Sequence, residues 1–297
     1  MNENPSIFHR CRAGTSPIGT LACDKAHKMR ELTSIEEVKN ILDSARKKKL
    51  VSNCFFMKEQ LESILKKERL WLMKEGDNTF LLEETQGFYR VYYFLQDFDN
   101  ISRMELKLPA VIEFVFRNEP DEGQKKEIAA FEAMGFSLGR ESMRITIRFS
   151  DYKGLTSCPA ISGMYLGFAE EEDCDGVLEL LYVSFNKLYA HLPDKDEQIR
   201  MIQDKKTLIV KKDGKILGVR NFEIRGNIAV GLQTATSEIG SGIGGLLFFK
   251  YIEIIRDRVK AFRYLVDVSN PYDGNLHEKL GGSSDGTRAF EYIKPAS

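Results

Sequence analysis

From residue 33 onward the apolar positions follow two spacings, one of about 3.6 residues and one of 2, and the switches between them mark the elements. Thr33 or Ser34 with Glu36 or Glu37 forms a capping box, and Val38, Ile41, Leu42 and Ala45 follow at helical spacing. KEQLESILKKERL (58–70) repeats that spacing and predicts a second amphipathic helix. WLMKEGDNTFLLEE predicts a hairpin, with two apolar runs around Gly76-Asp77-Asn78. GFYRVYYFLQ and AVIEFVFRN read as strands, GQKKEIAAFEAMGF as a helix and SMRITIRF as a strand. The aromatic cluster Phe88, Tyr89, Tyr92, Tyr93 and Phe94 is expected in the core.

A second series begins after residue 162. MYLGFA is a strand, EEDCDGVLELLYVSFNKLY a helix with an acidic first turn, and DKDEQIRMIQDK a short helix. TLIVKKDGKILGVRNFEIRG is a hairpin turning at Asp213-Gly214. NIAVGLQTAT is a strand, followed by a glycine loop and a helix to about Val259. FRYLVDVSN, NLHEKLGG and RAFEYIK complete the series as strand, helix and strand.

The two series share an order of helices, antiparallel meander, then strand, helix, strand, which suggests a diverged internal duplication. The expected fold class is α+β, with a mixed, mostly antiparallel central sheet flanked by helices in each of two domains. Residues 1–32 lack periodicity and read as a flexible arm. Residues 33–150 form the first domain, the polar, glycine-containing stretch 151–162 a linker, and residues 163–297 the second domain.

Composition narrows the class. The 297 residues carry a net charge of −1, against the basic excess of a general nucleic-acid binder. No apolar run approaches the roughly 20 residues that span a bilayer, and the N-terminus lacks a signal-type apolar core, so no membrane partner and a cytoplasmic location are expected. Five scattered cysteines and four dispersed histidines show no metal-ligand spacing, and no metal is expected.

The segment TATSEIGSGIGGLLFFKYIEI (234–254) carries the candidate chemistry. Each glycine costs a helix about 1 kcal/mol relative to alanine, so four glycines at a helix start need a reason. A glycine loop entering a helix offers bare N–H groups at the positive end of the helix dipole, where a phosphate fits. A turn that lets the helix pack closely on a sheet is the alternative. Gly240, Gly242 and Gly245 match G-x-G-x-x-G, but four residues separate strand from glycine, and too little chain follows for a doubly wound sheet. No GK[ST] follows, which excludes a P-loop.

Residues 163–297 resemble the GNAT superfamily of acyl-CoA-dependent N-acyltransferases. The family's loop motif [RQ]xxGx[GA] aligns with Ile239, Gly240, Ser241, Gly242, Ile243 and Gly244. A later Asn and a short helix ending LYxKLGF align with Asn270 and Leu276–Gly282. Ile239 stands in place of the usual Arg or Gln, His277 where the family often has Tyr, and one extra residue follows Asn270. The first half resembles a degenerate copy without the loop, and no CoA site is expected there.

The resemblance implies transfer of an acyl group, acetyl by default, from acyl-CoA to an amine by direct attack in a ternary complex. Pantetheine would lie along Leu232, Gln233 and Thr234, and the diphosphate on residues 239–244. His277 is the first candidate acid and Tyr272 the second; Glu223, or Asp267, is the candidate base. Lys250, Arg256 and Arg258 are candidate 3′-phosphate contacts, with a solvated helix face as the alternative. The expected acceptor is an amine-bearing small molecule or peptide, and the expected assembly a monomer or homodimer. The alternatives are a non-catalytic CoA-binding or interaction protein of the same fold and, more distantly, a nucleotide-binding oxidoreductase.

Overall fold

Ser34 caps the first helix by accepting from the Glu37 N–H, and Arg46, Lys47 and Lys48 close its last turn, where the dipole favours cations. The computed structural model describes residues 29–297 apart from 55, 57, 68, 99–103, 155–162 and 271–277. The first half runs β1 (Arg30–Glu31), α1 (Ile35–Lys48), β2 (Val51–Ser52), α2 (Lys58–Lys66), β3 (Leu70–Glu75), β4 (Asn78–Thr85), β5 (Phe88–Leu95), β6 (Ala110–Arg117), α3 (Glu122–Ala133) and β7 (Ser137–Arg148). The second runs β8 (Tyr165–Phe168), a 3-10 turn (Glu171–Asp173), α4 (Cys174–Ser184), α5 (Lys195–Gln203), β9 (Thr207–Lys212), β10 (Lys215–Arg225), β11 (Ile228–Thr236), α6 (Ile243–Ile255), β12 (Ala261–Asp267) and β13 (Ser283–Lys294).

All described strands join one mixed sheet, ordered β1-β3-β4-β5-β6-β13-β7-β12-β11-β10-β9-β8, with β2 beside β5. The order contains an exchange. β13, the last strand of the second half, lies between β6 and β7 of the first. β7, the last strand of the first half, lies between β13 and β12 of the second. Each half therefore completes the other's sheet. Two separate sheets, one per domain, are not what the chain forms.

Side-chain alternation places the helices. Phe114 on β6 and Phe290 on β13 enter the core under α3, and Arg288 shares their face. Arg288 pairs with Met143 on β7, which packs into the core under α6. So α3 and α6 cover one face. The cores of α1–α2 and of α4 lie on the opposite face.

Among the described residues two strand pairs are parallel. β5 and β6 pair at Tyr89–Ala110 and Arg90–Val111. β11 and β12 pair from Ile228–Ala261 to Val230–Arg263. In each case the pairing stops while the strands continue, which leaves a wedge-shaped opening.

Residues 30–32, expected to belong to a flexible arm, are part of the fold. Arg30 and Glu31 pair with Leu72 and Trp71, and Leu32 is completely buried. Two paired residues are too few to show a period, and edge pairing is not a local property of sequence. In the expected linker, Lys153 donates its N–H to the Leu280 carbonyl. Gly281 packs so tightly on Asp151 that a Cβ there would stand 2.0 Å from the Asp151 carbonyl oxygen. Residues 1–28 and 155–162 lie outside the described residues.

Candidate active site

The glycine loop joins β11 to α6, and its backbone explains the glycines. Gly240 and Gly242 both have φ of +82°, in the left-handed region, and Gly242 is the N-cap of α6. The first helical N–H to find its acceptor is that of Leu246, bonded to the Gly242 carbonyl at 3.2 Å. A Cβ built on Gly240, Gly242 or Gly245 meets no atom within 4 Å, and one on Gly244 meets only Thr236 Cγ2 at 3.8 Å. The loop thus faces open space, with helix N-terminal amides behind it. The Ser241 hydroxyl donates to the Glu238 carbonyl at 2.8 Å, and the Ser237 N–H to the Leu217 carbonyl. Ile239 is fully exposed.

Close packing accounts for a different glycine. A Cβ on Gly218 would stand 2.4 Å from Ile243 Cγ2 and 3.0 Å from Leu247 Cδ1, so bare backbone there lets the first turn of α6 settle on β10. Ile243, Leu246, Leu247, Tyr251, Ile252 and Ile255 are buried along that helix. Lys250 pairs with Glu253. Arg256 and Arg258 follow the far end of α6, about 20 Å from the loop at 1.5 Å per residue. They do not approach a group bound at the loop.

β11 carries a bulge. Arg220 pairs with Thr234 and Phe222 with Gly231, so Asn221 alone faces both Leu232 and Gln233. A buried network fixes it. Asn221 Nδ2 donates to Gln233 Oε1 at 3.3 Å and to Gln198 Oε1 at 3.0 Å, and its Oδ1 accepts from Thr207 at 2.8 Å. Gln233 Nε2 donates to the carbonyls of Ala190 and His191, both at 3.1 Å. The Gln233 side chain therefore belongs to the fold. Leu232 is half-exposed, and the Thr234 hydroxyl accepts from Arg220 Nη1 at 3.0 Å.

The acid and base candidates fare differently. Glu223 lies opposite Val230, where the β11–β12 pairing is still closed, and its carboxylate is paired with Arg225 at 2.7 Å. Asp267 Oδ1 accepts from the N–H and hydroxyl of Ser269, which fastens the turn after β12. The Asn270 N–H bonds to the Asp267 carbonyl at 3.1 Å in that same turn. Tyr272 and His277 lie outside the described residues.

Sequence reasoning missed a charged cluster on the face opposite α6. Arg140 on β7 binds Glu291 on β13. His191 Nε2 lies 3.0 Å from Arg90 Nη1 and 3.7 Å from Glu113 Oε2. Burial drives the Glu113 carboxyl up, but His191, Arg90 and Arg140 more than offset this and leave it below its usual value. Burial raises Glu291, against the opposing effect of Arg140. The available signal was a lone carboxylate inside an apolar strand, in AVIEFVFRN and in RAFEYIK. Among the described residues no group of three or more His, Cys, Asp or Glu is placed to hold a metal ion.

The opening of the first half is filled by its own chain. β2 pairs with β5 inside it, and Asn53 follows. Asn53 Nδ2 donates to the carbonyls of Val91 on β5 and Glu113 on β6, at 3.1 and 3.2 Å. Asn53 Oδ1 accepts from the Tyr93 N–H at 3.0 Å. A cavity of about 680 Å³ remains around it, lined in part by Arg90, Tyr92, Glu113, Glu127 and His191.

No family model matches the sequence, and no curated protein matches it. Among solved structures, the chain is similar to a GCN5-related N-acetyltransferase from Sphaerobacter thermophilus, with a TM-score of 0.51, 14% identity, and coverage of 79% of this chain and 85% of that one. It is also similar to an acetyltransferase of the GNAT family from Colwellia psychrerythraea, with a TM-score of 0.50, 10% identity, and coverage of 90% and 99%. Likeness at such identity concerns architecture, and together with the two wedge-shaped openings it gives a plain result: the chain has the GNAT fold.

Proposed function

We propose that the chain is an acyl-CoA-dependent N-acyltransferase whose acyl donor lies in the opening between β11 and β12. The observation that carries this reading is the conjunction of three features on one strand and its exit. The parallel pairing stops at Val230–Arg263, the bulge at Leu232–Gln233 follows at once, and β11 then leads into a left-handed glycine loop with open space before it.

The residues present fit such a donor. A Cβ at Gly240, Gly242 or Gly245 would meet no atom within 4 Å, and bare glycine there leaves the loop backbone open to a diphosphate. The β11 edge turned away from β10 offers the backbone of Leu232, Gln233 and Thr234 to pantetheine amides, in the manner of an added strand. Bound there, acyl-CoA supplies an activated thioester carbonyl. A bulge N–H serves as hydrogen-bond donor to that carbonyl oxygen, and Gln233, held by Asn221, Ala190 and His191, keeps the bulge rigid. His277, or Tyr272, is the proposed proton donor to the departing sulfur, and the incoming amine loses its proton to Glu223 or to water. The acceptor is an amine-bearing small molecule or peptide, approaching from the face opposite α6, where Leu265 is half-exposed.

Ile239 favours a second reading, a CoA-binding protein without turnover. Its exposed aliphatic side chain adds no contact to a diphosphate. Two measurements separate the readings. Acetyl-CoA at 100 times its Kd should stabilise the protein by about 2.7 kcal/mol. Turnover with a panel of primary amines should then follow by release of free thiol. Binding without turnover across the panel favours the second reading, and no binding of any acyl-CoA overturns both.

A further inference from the structure

Arg220 on β10 is 6% exposed, yet among the described residues no carboxylate is paired with it. Its guanidinium lies over the Tyr251 ring at 4.2 Å and the Phe248 ring at 5.3 Å. Nη1 donates to Thr234 Oγ1, and the guanidinium and the Tyr251 hydroxyl face each other, while Arg220 Nε and the Tyr251 hydroxyl, both buried, meet no further partner. Ring faces and two hydroxyls offset only part of the cost of removing a guanidinium from water, and buried charges are ordinarily paired.

The position of this cation is specific. Nη2 stands 3.1 Å from where a Cβ on Gly231 would be, and that Cβ would also lie 3.6 Å from Tyr264 Cβ. Gly231 and Tyr264 are the first residues past the last β11–β12 pair, so the guanidinium sits at the apex of the opening. It is on the α6 face, the face of the glycine loop. A donor held by its diphosphate at that loop, with its thioester beside the bulge, directs its acyl group toward this apex. Thr234 on β11 holds Nη1, and glycine at 231 leaves Nη2 uncovered by a side chain at that position.

From this geometry we propose that Arg220 is the counter-ion of an acyl group ending in a carboxylate, so that the donor is a dicarboxylic acyl-CoA. The inference rests on the donor site described above. It assigns the buried cation to substrate selection and the Tyr251 hydroxyl to a second hydrogen bond on the same carboxylate.

Succinyl-CoA and butyryl-CoA share a four-carbon chain and differ in the terminal carboxylate, so their affinities isolate the effect. Measured by titration calorimetry on the full chain, succinyl-CoA should bind about tenfold tighter or more, as a charge-assisted pair in a buried site implies. Arg220→Met should collapse that ratio toward one or invert it. Gly231→Ala, which crowds Nη2, should reduce the ratio and serves should the first variant not fold. Equal affinities in the unaltered protein, or a ratio that persists in a folded Arg220→Met, overturn the inference while leaving the donor site standing. Failure of both thioesters to bind overturns the donor site as well.

Discussion

Arg140 and Glu291, 151 residues apart in the chain, are joined by two hydrogen bonds, from Nη2 to Oε1 at 2.5 Å and from Nε to Oε2 at 3.2 Å. Their strands, β7 and β13, are those that the two halves exchange. The pair therefore lies on the seam that makes one folding unit of two repeats. Glu291 is 2% exposed, and removing it strands a largely buried guanidinium. Glu291→Ala should cost about 3 kcal/mol. Denaturant unfolding of the unaltered chain should show one transition with coincident probes, since neither half has a complete sheet without the other. Two resolved transitions would show that the halves fold independently.

A second pair on the seam sets an acid dependence. Arg144 on β7 holds Asp285 at the start of β13, and its guanidinium keeps that carboxyl well below the usual carboxylate range. The folded state thus holds this proton less tightly than the unfolded chain, where Asp titrates near 3.8. The contribution is complete above that pH and is lost as pH falls through it toward the folded value. Both side chains are about a third exposed, so screening limits the contribution to about 1 kcal/mol at pH 7. Urea midpoints of the unaltered chain and Asp285→Asn should differ at pH 7 and draw together only as the pH falls below 3.8 toward the folded value. A gap that widens in acid would contradict the assignment.

The glycine loop gives a test with a built-in control. Gly242 has positive φ, which Asn tolerates better than other side chains, and a Cβ there touches nothing. Gly242→Asn should fold with a small loss of stability and bind acetyl-CoA more weakly, because its side chain enters the space before the amides. Gly242→Glu adds a negative charge there and should abolish binding. A folded Gly242→Glu with unchanged affinity would remove the loop from the donor site.

The sequence carried whatever was local. The N-cap at Ser34, the hairpin at Gly76-Asp77-Asn78 and the strand-to-helix glycine loop each depend on a few consecutive residues, and each stands where the pattern predicts; the reciprocal half of the expected capping box is absent, because the Glu37 carboxylate pairs with Arg30 instead. The aromatic strand 88–94 is core, with Phe88, Tyr89, Tyr93 and Phe94 buried. What the pattern could not carry was pairing between distant strands. An exchanged strand has the same alternation as one that stays at home, so β7 and β13 read alike in either arrangement. β1 and β2 have two residues each, too short for a period. The helix expected through Tyr189 ends at Ser184, because Ala190 and His191 are held by Gln233 from another element. The two described acid–base candidates, Glu223 and Asp267, are engaged locally, while Tyr272 and His277 lie outside the described residues. Glu223 finds Arg225 two residues away, whereas Glu113, His191 and Arg140 meet only once both halves are assembled.

Asn53 shows why one opening is a candidate site and the other is not. Its side-chain amide satisfies backbone groups of β5 and β6 where those strands part, with a carbonyl and an N–H set as in a peptide unit. In the other half, the matching position is the one proposed for pantetheine amides. The first opening also lacks a helix between its two parallel strands among the described residues, so no amide cluster faces a diphosphate there. Removing the plug should therefore cost stability without creating a site. Asn53→Ala leaves two carbonyls and one N–H in a solvent-reachable cavity and should cost about 1–2 kcal/mol. Titration of that variant with acetyl-CoA should still give one site per chain at unchanged affinity. A stoichiometry of two would mean that the first half retains a latent donor site, which the lack of an amide cluster among the described residues argues against.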